Sequence, residues 1–466
     1  MSSAWRGAAI IAALVIGHGS PGLAQETPVD TKESMFALRG FGTLALTNSS
    51  EKNADFITST YQKNGAGYTR NPDYGIDSRI GLQLDAKFTS WLSGVIQVDS
   101  ERQFNGTYRP NIEWANLRFQ FTPDFSIRIG RVALPVFMES DSRKVGYTNT
   151  WLRPPVDAYS LCPLTSNDGV DASYRFHMGE ASLTLQGAVG GNSASRPGGT
   201  WFKARNGKLI NALFEYKDLT IRANYVTQQM SITGAPVDVL FNGYRAFAAG
   251  VAPVEPALGD TVLSTTALDL AQTYEAKDKK TSSYGVGIIW NPGDWIVQGE
   301  WVRRTSRCFL ADQTAWYVNA GYRIHEVTPY AGLSAVKCDS QTSNAGLPTA
   351  GLAAKLTPIF TAMLVQQGMP AAQAAATATA MAAGVVGNAL TLNGGLNQLL
   401  GLKASEEQHS WTVGIRWDVA KNIDLKLQYD HILPQRDSNS TFTNVQPGFQ
   451  RNRAINIVAA ALDFVF

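Results

Sequence analysis

The chain has 466 residues, of which 17% are charged, 42 are glycine, 11 tryptophan and 16 tyrosine, with 40 basic residues against 38 acidic and a mean hydropathy of -0.12. So even a charge balance offers no footprint for a nucleic acid and excludes that class of partner. Few charges and many aromatics at this hydropathy also exclude an ordinary soluble protein and a helical membrane protein. They fit a chain whose apolar residues alternate with polar ones and face lipid from one side.

Residues 1–24 read as a secretory signal, with Arg6 as the charge, Ala8 to Ile16 as the apolar stretch and Gly22-Leu23-Ala24 as a small-residue cleavage site. The apolar stretch is shorter than the roughly 20 residues of a spanning helix, so a cleaved signal is expected rather than an anchor. The mature chain is expected to run from Gln25 to Phe466 as one domain. Without Arg6 its balance is 39 basic residues against 38 acidic.

From there the apolar period is two, in segments near ten residues long, the length of a tilted membrane strand. Sixteen strands are read, at about 36 to 49, 78 to 89, 92 to 104, 111 to 122, 125 to 137, 169 to 178, 181 to 191, 207 to 217, 219 to 233, 281 to 291, 295 to 306, 314 to 324, 328 to 337, 410 to 420, 423 to 432 and 453 to 466. The pattern is plainest in "SWTVGIRWDVA", where Trp411, Val413, Ile415, Trp417 and Val419 oppose Thr412, Gly414, Arg416 and Asp418. The turn Lys421-Asn422 then leads into "IDLKLQYDHI", which repeats the pattern and makes a hairpin.

Short turns, such as those at Thr89, Pro123, Gly179, Lys217, Asn291 and Ile324, interleave with long links at 50 to 77, 138 to 168, 234 to 280, 338 to 409 and 433 to 452. Short turns on one side and long loops on the other predict an all-β fold: a transmembrane antiparallel β-barrel with periplasmic turns and extracellular loops. An even strand count puts both chain ends on the short-turn side. The sheet must close, because an open edge would leave unpaired backbone groups in hydrocarbon. Aromatics at that end, among them Phe88, Trp91, Phe121, Trp290, Trp295, Trp417 and Phe466, read as an interfacial girdle. No charge occurs between Leu356 and Leu402, but Gln366, Gln367, Gly368, Pro370 and Gln373 interrupt the Ala-rich stretch. A helical insert in the loop 338 to 409 is therefore expected in place of a lone transmembrane helix.

Three cysteines, Cys162, Cys308 and Cys338, leave at least one without an internal partner. Cys308 and Cys338 fall beyond the outer ends of the eleventh and thirteenth strands, about 10 Å apart at the ladder, and a disulfide between them is expected to need the loops to lean together.

The signal peptide, the opening strand "ALRGFGTLAL", the repeated hairpins and the terminal Phe466 resemble the general porins of Gram-negative outer membranes. That resemblance covers nearly the whole mature chain. It implies an exported outer-membrane barrel set among lipid and lipopolysaccharide, a homotrimer, and a final strand whose Phe464 and Phe466 are read by the barrel assembly machinery. It also implies that the link after the fifth strand, 138 to 168, folds into the lumen as a constriction. The acidic Pro-Glu-Phe-Gly stretch common in that family is missing from this link.

Sixteen strands enclose a water-filled channel, so the face opposite the apolar stripe lines water. The expected lining includes Arg79, Lys87, Arg118, Arg128, Arg175, Arg222, Glu300, Arg416, Asp418 and Lys426. With the loop turned inward, its Glu139, Asp141 and Asp157 are expected to face some of the early arginines, and such opposed rows set up a transverse field. The same residues allow a plainer arrangement in which the arginines pair with neighbouring carboxylates, since the loop also carries Arg143, Lys144 and Arg153. There is no Gly-x-Ser-x-Gly elbow, no His-Glu-x-x-His motif and no phosphate-cradling loop. No catalytic residue, metal or cofactor is expected. The expected function is passive diffusion of small hydrophilic solutes and ions. The alternatives are a channel preferring phosphate or another anion, a dicarboxylate or a sugar, and a structural or adhesive barrel.

Overall fold

The computed structural model describes residues 34–196, 200–259, 262–403, 406–435 and 438–466. The chain divides into two units, Met1–Met35 and Phe36–Phe466. The expected signal segment, residues 1–24, lies outside the described residues.

The second unit is a closed barrel of sixteen antiparallel strands, each paired with its neighbours in sequence. In chain order they are β1 Phe36–Ser49, β2 Arg79–Lys87, β3 Leu92–Glu101, β4 Asn111–Gln120, β5 Phe125–Ala133, β6 Ser166–Met178, β7 Ala181–Arg196, β8 Thr200–Tyr216, β9 Leu219–Thr233, β10 Lys279–Trp290, β11 Trp295–Ser306, β12 Gln313–Tyr322, β13 Val327–Cys338, β14 Gln408–Ala420, β15 Ile423–Pro434 and β16 Ile455–Val465. β16 closes on β1 with Phe41 opposite Val465, Leu44 opposite Leu462 and Ser49 opposite Ile457. Side chains alternate as the period of two requires. On β16, Val458 and Ala460 point out, while Ile457, Ala459, Ala461 and Asp463 are buried inside. Phe88, Trp91, Phe121, Trp290, Trp295, Trp417 and Phe466 are exposed on the outer face near the short turns. Trp295 and Tyr322 pack there at 5.0 Å between ring centroids.

The strand boundaries depart from expectation in two informative places. β5 stops at Ala133, because Pro135 has no N–H to extend the ladder and the chain turns away into the barrel. The inward segment therefore runs from 134 to 165, slightly ahead of the expected 138 to 168. β7 and β8 run well beyond the expected ends at Gly191 and Gly207. Glycines and serines made these ends read as loop, but pairing between the two strands continues through a register shift between Ala204 and Gly207.

The long links carry more helix than expected. Residues 235–274 contain α1 Ala235–Val251, a short turn of helix at Glu255–Leu258, and α2 Val262–Tyr274. Buried Phe241, Tyr244, Ala248 and Val251 repeat at helical spacing along α1. The 338 to 409 link contains α3 Leu352–Gln366 and α4 Ala371–Gln398. Ala374, Ala378, Ala382, Ala389, Leu392 and Leu396 form the buried stripe of α4. The stretch Ala371–Gly401 is long and apolar enough to cross a membrane, with 22% of its most apolar window buried. The largest apolar cluster joins these helices to the inward segment and to the long-loop ends of β8, β9, β11, β12 and β13. A smaller one surrounds three short pairing segments, Asp55–Phe56, Ala66–Gly67 and Phe442–Thr443.

Closure depends on two glycines. Gly40 N donates to Phe466 O and Phe466 N to Gly40 O, both at 2.9 Å. The rings of Phe466 and Phe464 lie over Gly40 and Gly42, where a Cβ would come within 2.1 and 2.4 Å of ring carbons. Gly42→Val and deletion of Phe466 are each expected to weaken the seam by roughly 1 to 3 kcal/mol. The check is the amount of heat-modifiable folded barrel on semi-native gels and the temperature at which that band is lost. Unchanged yield and midpoint in both variants would contradict this role for the seam.

Candidate functional site

Alternation along β15 turns Asp424, Lys426, Gln428 and Asp430 into the barrel and Leu425 and Leu427 out to its surface. Beside them, β14 contributes Arg416 and Asp418 and β16 contributes Asp463. Lys426 Nζ donates to Asp463 Oδ2 at 2.8 Å and to the Gly146 carbonyl at 2.7 Å. Arg416 reaches Asp424 at 3.0 Å and Asp418 at 2.8 Å, and its Nη1 donates to the carbonyls of Tyr147 and Asn149 at 2.8 and 2.9 Å. Its guanidinium also lies over the Tyr147 ring at 4.9 Å. The middle of the inward segment is thus held by cations whose charge is balanced by carboxylates of the same wall.

The rest of the segment is tied to the wall in the same manner. Met138 N donates to Glu300 Oε1 at 2.7 Å, and Tyr159 and Tyr317 donate to Glu300 Oε2 at 3.1 and 2.6 Å. Glu139 Oε1 accepts from Trp151 Nε1 and from Gln298 on β11, both at 3.1 Å. Leu152 N donates to Gln428 at 3.1 Å. Arg153 donates to Asp77 at 2.9 Å and to Asp430 at 3.1 Å. Asp157 accepts from Ser334 at 2.7 Å and from Ser410 at 3.2 Å. Lys144 crosses to β3, at 3.0 Å from Asp99 and in contact with Glu101. At its start, the segment accepts from Arg222 at Phe137 O and from Asn224 at Val136 O.

These contacts run from β9 through β16 to β3, with Lys144 also 3.9 Å from Glu113 near the start of β4, and among the described residues no hydrogen bond runs from the segment to Arg118, Arg128, Asp171 or Arg175. Arg118 and Arg128 are ladder partners, as are Arg128 and Asp171. Arg128 forms a two-pronged pair with Asp171 at 2.5 to 3.1 Å. Arg175 pairs with Glu215 at 3.4 Å. Arg118 is exposed to the interior and has no ion pair among the described residues.

The expected site residues therefore separate into groups. Arg118, Arg128 and Arg175 stay on the clear wall, and Lys87 lies exposed at the short-turn end of β2. Arg416, Asp418, Lys426, Glu300 and Arg222 lie beneath or against the inward segment. Arg79 turns toward it as well, at 3.5 Å from Arg143 O. Of the three acids expected to face the early arginines, Asp141 is 55% exposed and lies 3.4 Å from Arg222 of β9, which is outside that early set. Glu139 and Asp157 point the other way, because each is buried against a hydrogen-bonding wall residue. Arg153 is buried between two aspartates, and Arg143 lies over the rings of Phe137 and Tyr159 at 5.9 and 5.3 Å. No disulfide joins Cys308 to Cys338 among the described residues. β12 stands between the strands that carry the pair, which keeps their ladder ends about 10 Å apart. Asp77, Trp151, Tyr330 and Gln428 complete the clamp but carry no local motif, since their partners lie far away in sequence.

Burial pushes the Glu139 carboxyl up to about 7 and raises that of Asp157. Glu139 has a folded pKa above its unfolded value of 4.5. Its contribution to holding the segment is complete below about 4.5 and is lost as pH rises through about 7. Opening-like current noise is expected to grow between pH 6 and 8 and to lose that dependence in Glu139→Gln, as measured in planar bilayers; an unchanged pH profile in that variant would contradict it. Arg153→Met, which leaves Asp77 and Asp430 unpaired, is expected to cost the clamp roughly 3 to 5 kcal/mol. Faster proteolysis within residues 134–165 would report that loss, and an unchanged cleavage rate would contradict it.

A closed sixteen-stranded barrel, apolar outside and charged within, with a segment folded across its interior, has the architecture of the porin-type outer-membrane barrels. Among solved structures the chain is similar to OmpF of Salmonella typhi in complex with daunomycin, at 12% identity over 92% of this chain and 97% of that one, with a TM-score of 0.50. It is also similar to the outer membrane channel DcaP of Acinetobacter baumannii, at 11% identity over 92% and 97% of the two chains and a TM-score of 0.49. An anion-selective porin from Comamonas acidovorans aligns at 8% identity over 92% and 99%, with a TM-score of 0.47. No protein-family model and no curated protein matches the sequence.

Proposed function

We propose that the protein is an outer-membrane channel for passive diffusion of small hydrophilic solutes and ions. In this reading it is exported behind a cleaved signal and inserted by the barrel assembly machinery, then set among lipid and lipopolysaccharide as a homotrimer. The inward segment narrows the lumen, and solutes pass between it and the wall of β4 to β8. The observation that supports the reading is the one-sided attachment of the segment: its hydrogen bonds to the wall go to β9 through β16, β2 and β3, while Arg118, Arg128 and Arg175 on the opposite wall take none from it among the described residues.

The electrostatics of that path favour a weak preference for anions. Arg128 and Arg175 are neutralised by Asp171 and Glu215, and Asp141 faces Arg222. Arg118, beside Arg128 and sharing Asp171 with it, has no ion pair of its own among the described residues. A fixed charge beside a narrow aqueous path biases the ions that share it. A barrel that serves only structure or adhesion gains nothing from a hydrated charged path.

In planar bilayers the purified protein is expected to give steady ion-conducting steps, with a reversal potential in a salt gradient on the anion side. Arg118→Glu is expected to move the permeability ratio toward cations by about fivefold, and Asp141→Lys to move it the other way. Absence of conducting steps would overturn the channel reading. Steps with no shift in either variant would place the ion path elsewhere.

A further inference from the structure

The long-loop end of the barrel holds a second chamber, about 480 Å³ in volume, that the polar path does not use. Val226, Met230 and Ile232 of β9, Leu161 and Leu164 of the inward segment and Leu240 of α1 line it. The first five are buried members of the largest apolar cluster, and Leu240 packs against it. Hydrophilic solutes have no use for walls of this kind. An apolar chamber of several hundred Å³ with a few placed polar groups is the ordinary build of a small-molecule site.

Those polar groups converge at one place. Ser283 and Arg304 are ladder partners on β10 and β11, so their side chains leave the same face side by side, and both line the chamber. The guanidinium of Arg304 is fixed by the Leu161 carbonyl at 3.1 Å, the Ala311 carbonyl at 3.2 Å and the side chain of Gln313. Its Nε and the Ser283 hydroxyl are buried and have no hydrogen-bond partner among the described residues. Two adjacent donors left unbonded in an apolar setting are satisfied by one accepting oxygen. Glu406 also borders the chamber and acts on the Arg304 charge, which disfavours a second carboxylate and favours a neutral acceptor.

We propose that this chamber binds a small, neutral, largely apolar molecule carrying one accepting oxygen, such as an aromatic ketone or short ester, with the oxygen directed to Ser283 and Arg304. The site stands whether or not the barrel conducts, so it does not rest on the channel reading.

Benzophenone serves as both ligand and reporter. Under near-ultraviolet light its carbonyl takes hydrogen from a nearby C–H, and the two carbon radicals join, leaving an alcohol bonded to the residue. Full-length protein in lipid nanodiscs is irradiated across a range of benzophenone concentrations, and adducts are mapped by peptide mass spectrometry. Saturable labelling is expected on 160–164, 226–232 and 236–240. It is expected to fall about fivefold or more in Met230→Trp, whose indole fills the chamber, and also to fall in Ser283→Ala, which removes one donor without filling space. Heat-modifiable mobility verifies that each variant is folded, and the Ser283 variant decides the matter where the bulky one does not assemble. Labelling confined to lipid-facing residues such as Leu44 and Ile80 would overturn the proposal. So would saturable labelling that neither folded variant reduces.

Discussion

At the depth of a hydrocarbon layer every backbone N–H and C=O needs a partner within the protein, and a sheet meets that demand only by closing on itself. The pairing of β16 with β1 is where this chain meets it. Everything else follows from that closure. The alternation of side chains fixes an apolar exterior and a polar interior, and the strand number fixes an interior too wide for the wall's own side chains to fill. Gly40 and Gly42 let Phe466 and Phe464 lie flat across the join, so the end of the chain finishes the outer surface at an interface where aromatics belong.

A wide interior lined by charge would be expensive if its ion pairs were left dry and incomplete, so the segment at 134–165 matters as much for what it satisfies as for the space it occupies. Lys426 and Arg416 bond its carbonyls while Asp463, Asp424 and Asp418 balance them. Arg153 is inserted between Asp77 and Asp430 from the other side. Removing one member strands its partners, which makes the clamp cooperative. On the remaining wall Arg128 and Arg175 pair with Asp171 and Glu215, and Arg118 has no ion pair among the described residues. The asymmetry between the two walls therefore arises from where the partners of the inward segment lie.

Most of the barrel was legible because a strand in such a wall is half in lipid and half in water, and that contrast writes a period of two directly into the sequence. β1, β9 and β11 begin and end where the pattern places them. The pattern failed where one face is not lipid. β7 and β8 extend beyond the expected ends on glycine and serine, and α1 packs against α2, α4 and β9. There the helical spacing of Phe241, Tyr244, Ala248 and Val251 was the usable signal. The side of the barrel on which Glu139 and Asp157 fall was not legible at all. It depends on Gln298, Ser334 and Ser410, between about 160 and 250 residues away in sequence, and no local pattern carries such a pairing.

The central claim is that water meets the arginine wall and not the wall beneath the inward segment. Thiol accessibility measures this directly: Arg118→Cys and Gln428→Cys are each exposed to a membrane-impermeant, charged thiol reagent, with the unaltered chain and its three native thiols as the reference. The clamp predicts rapid modification at 118 with a change in current, and protection at 428, where the side chain is held against Leu152 N and the Tyr330 hydroxyl. Rapid modification at 428 with protection at 118 would contradict it.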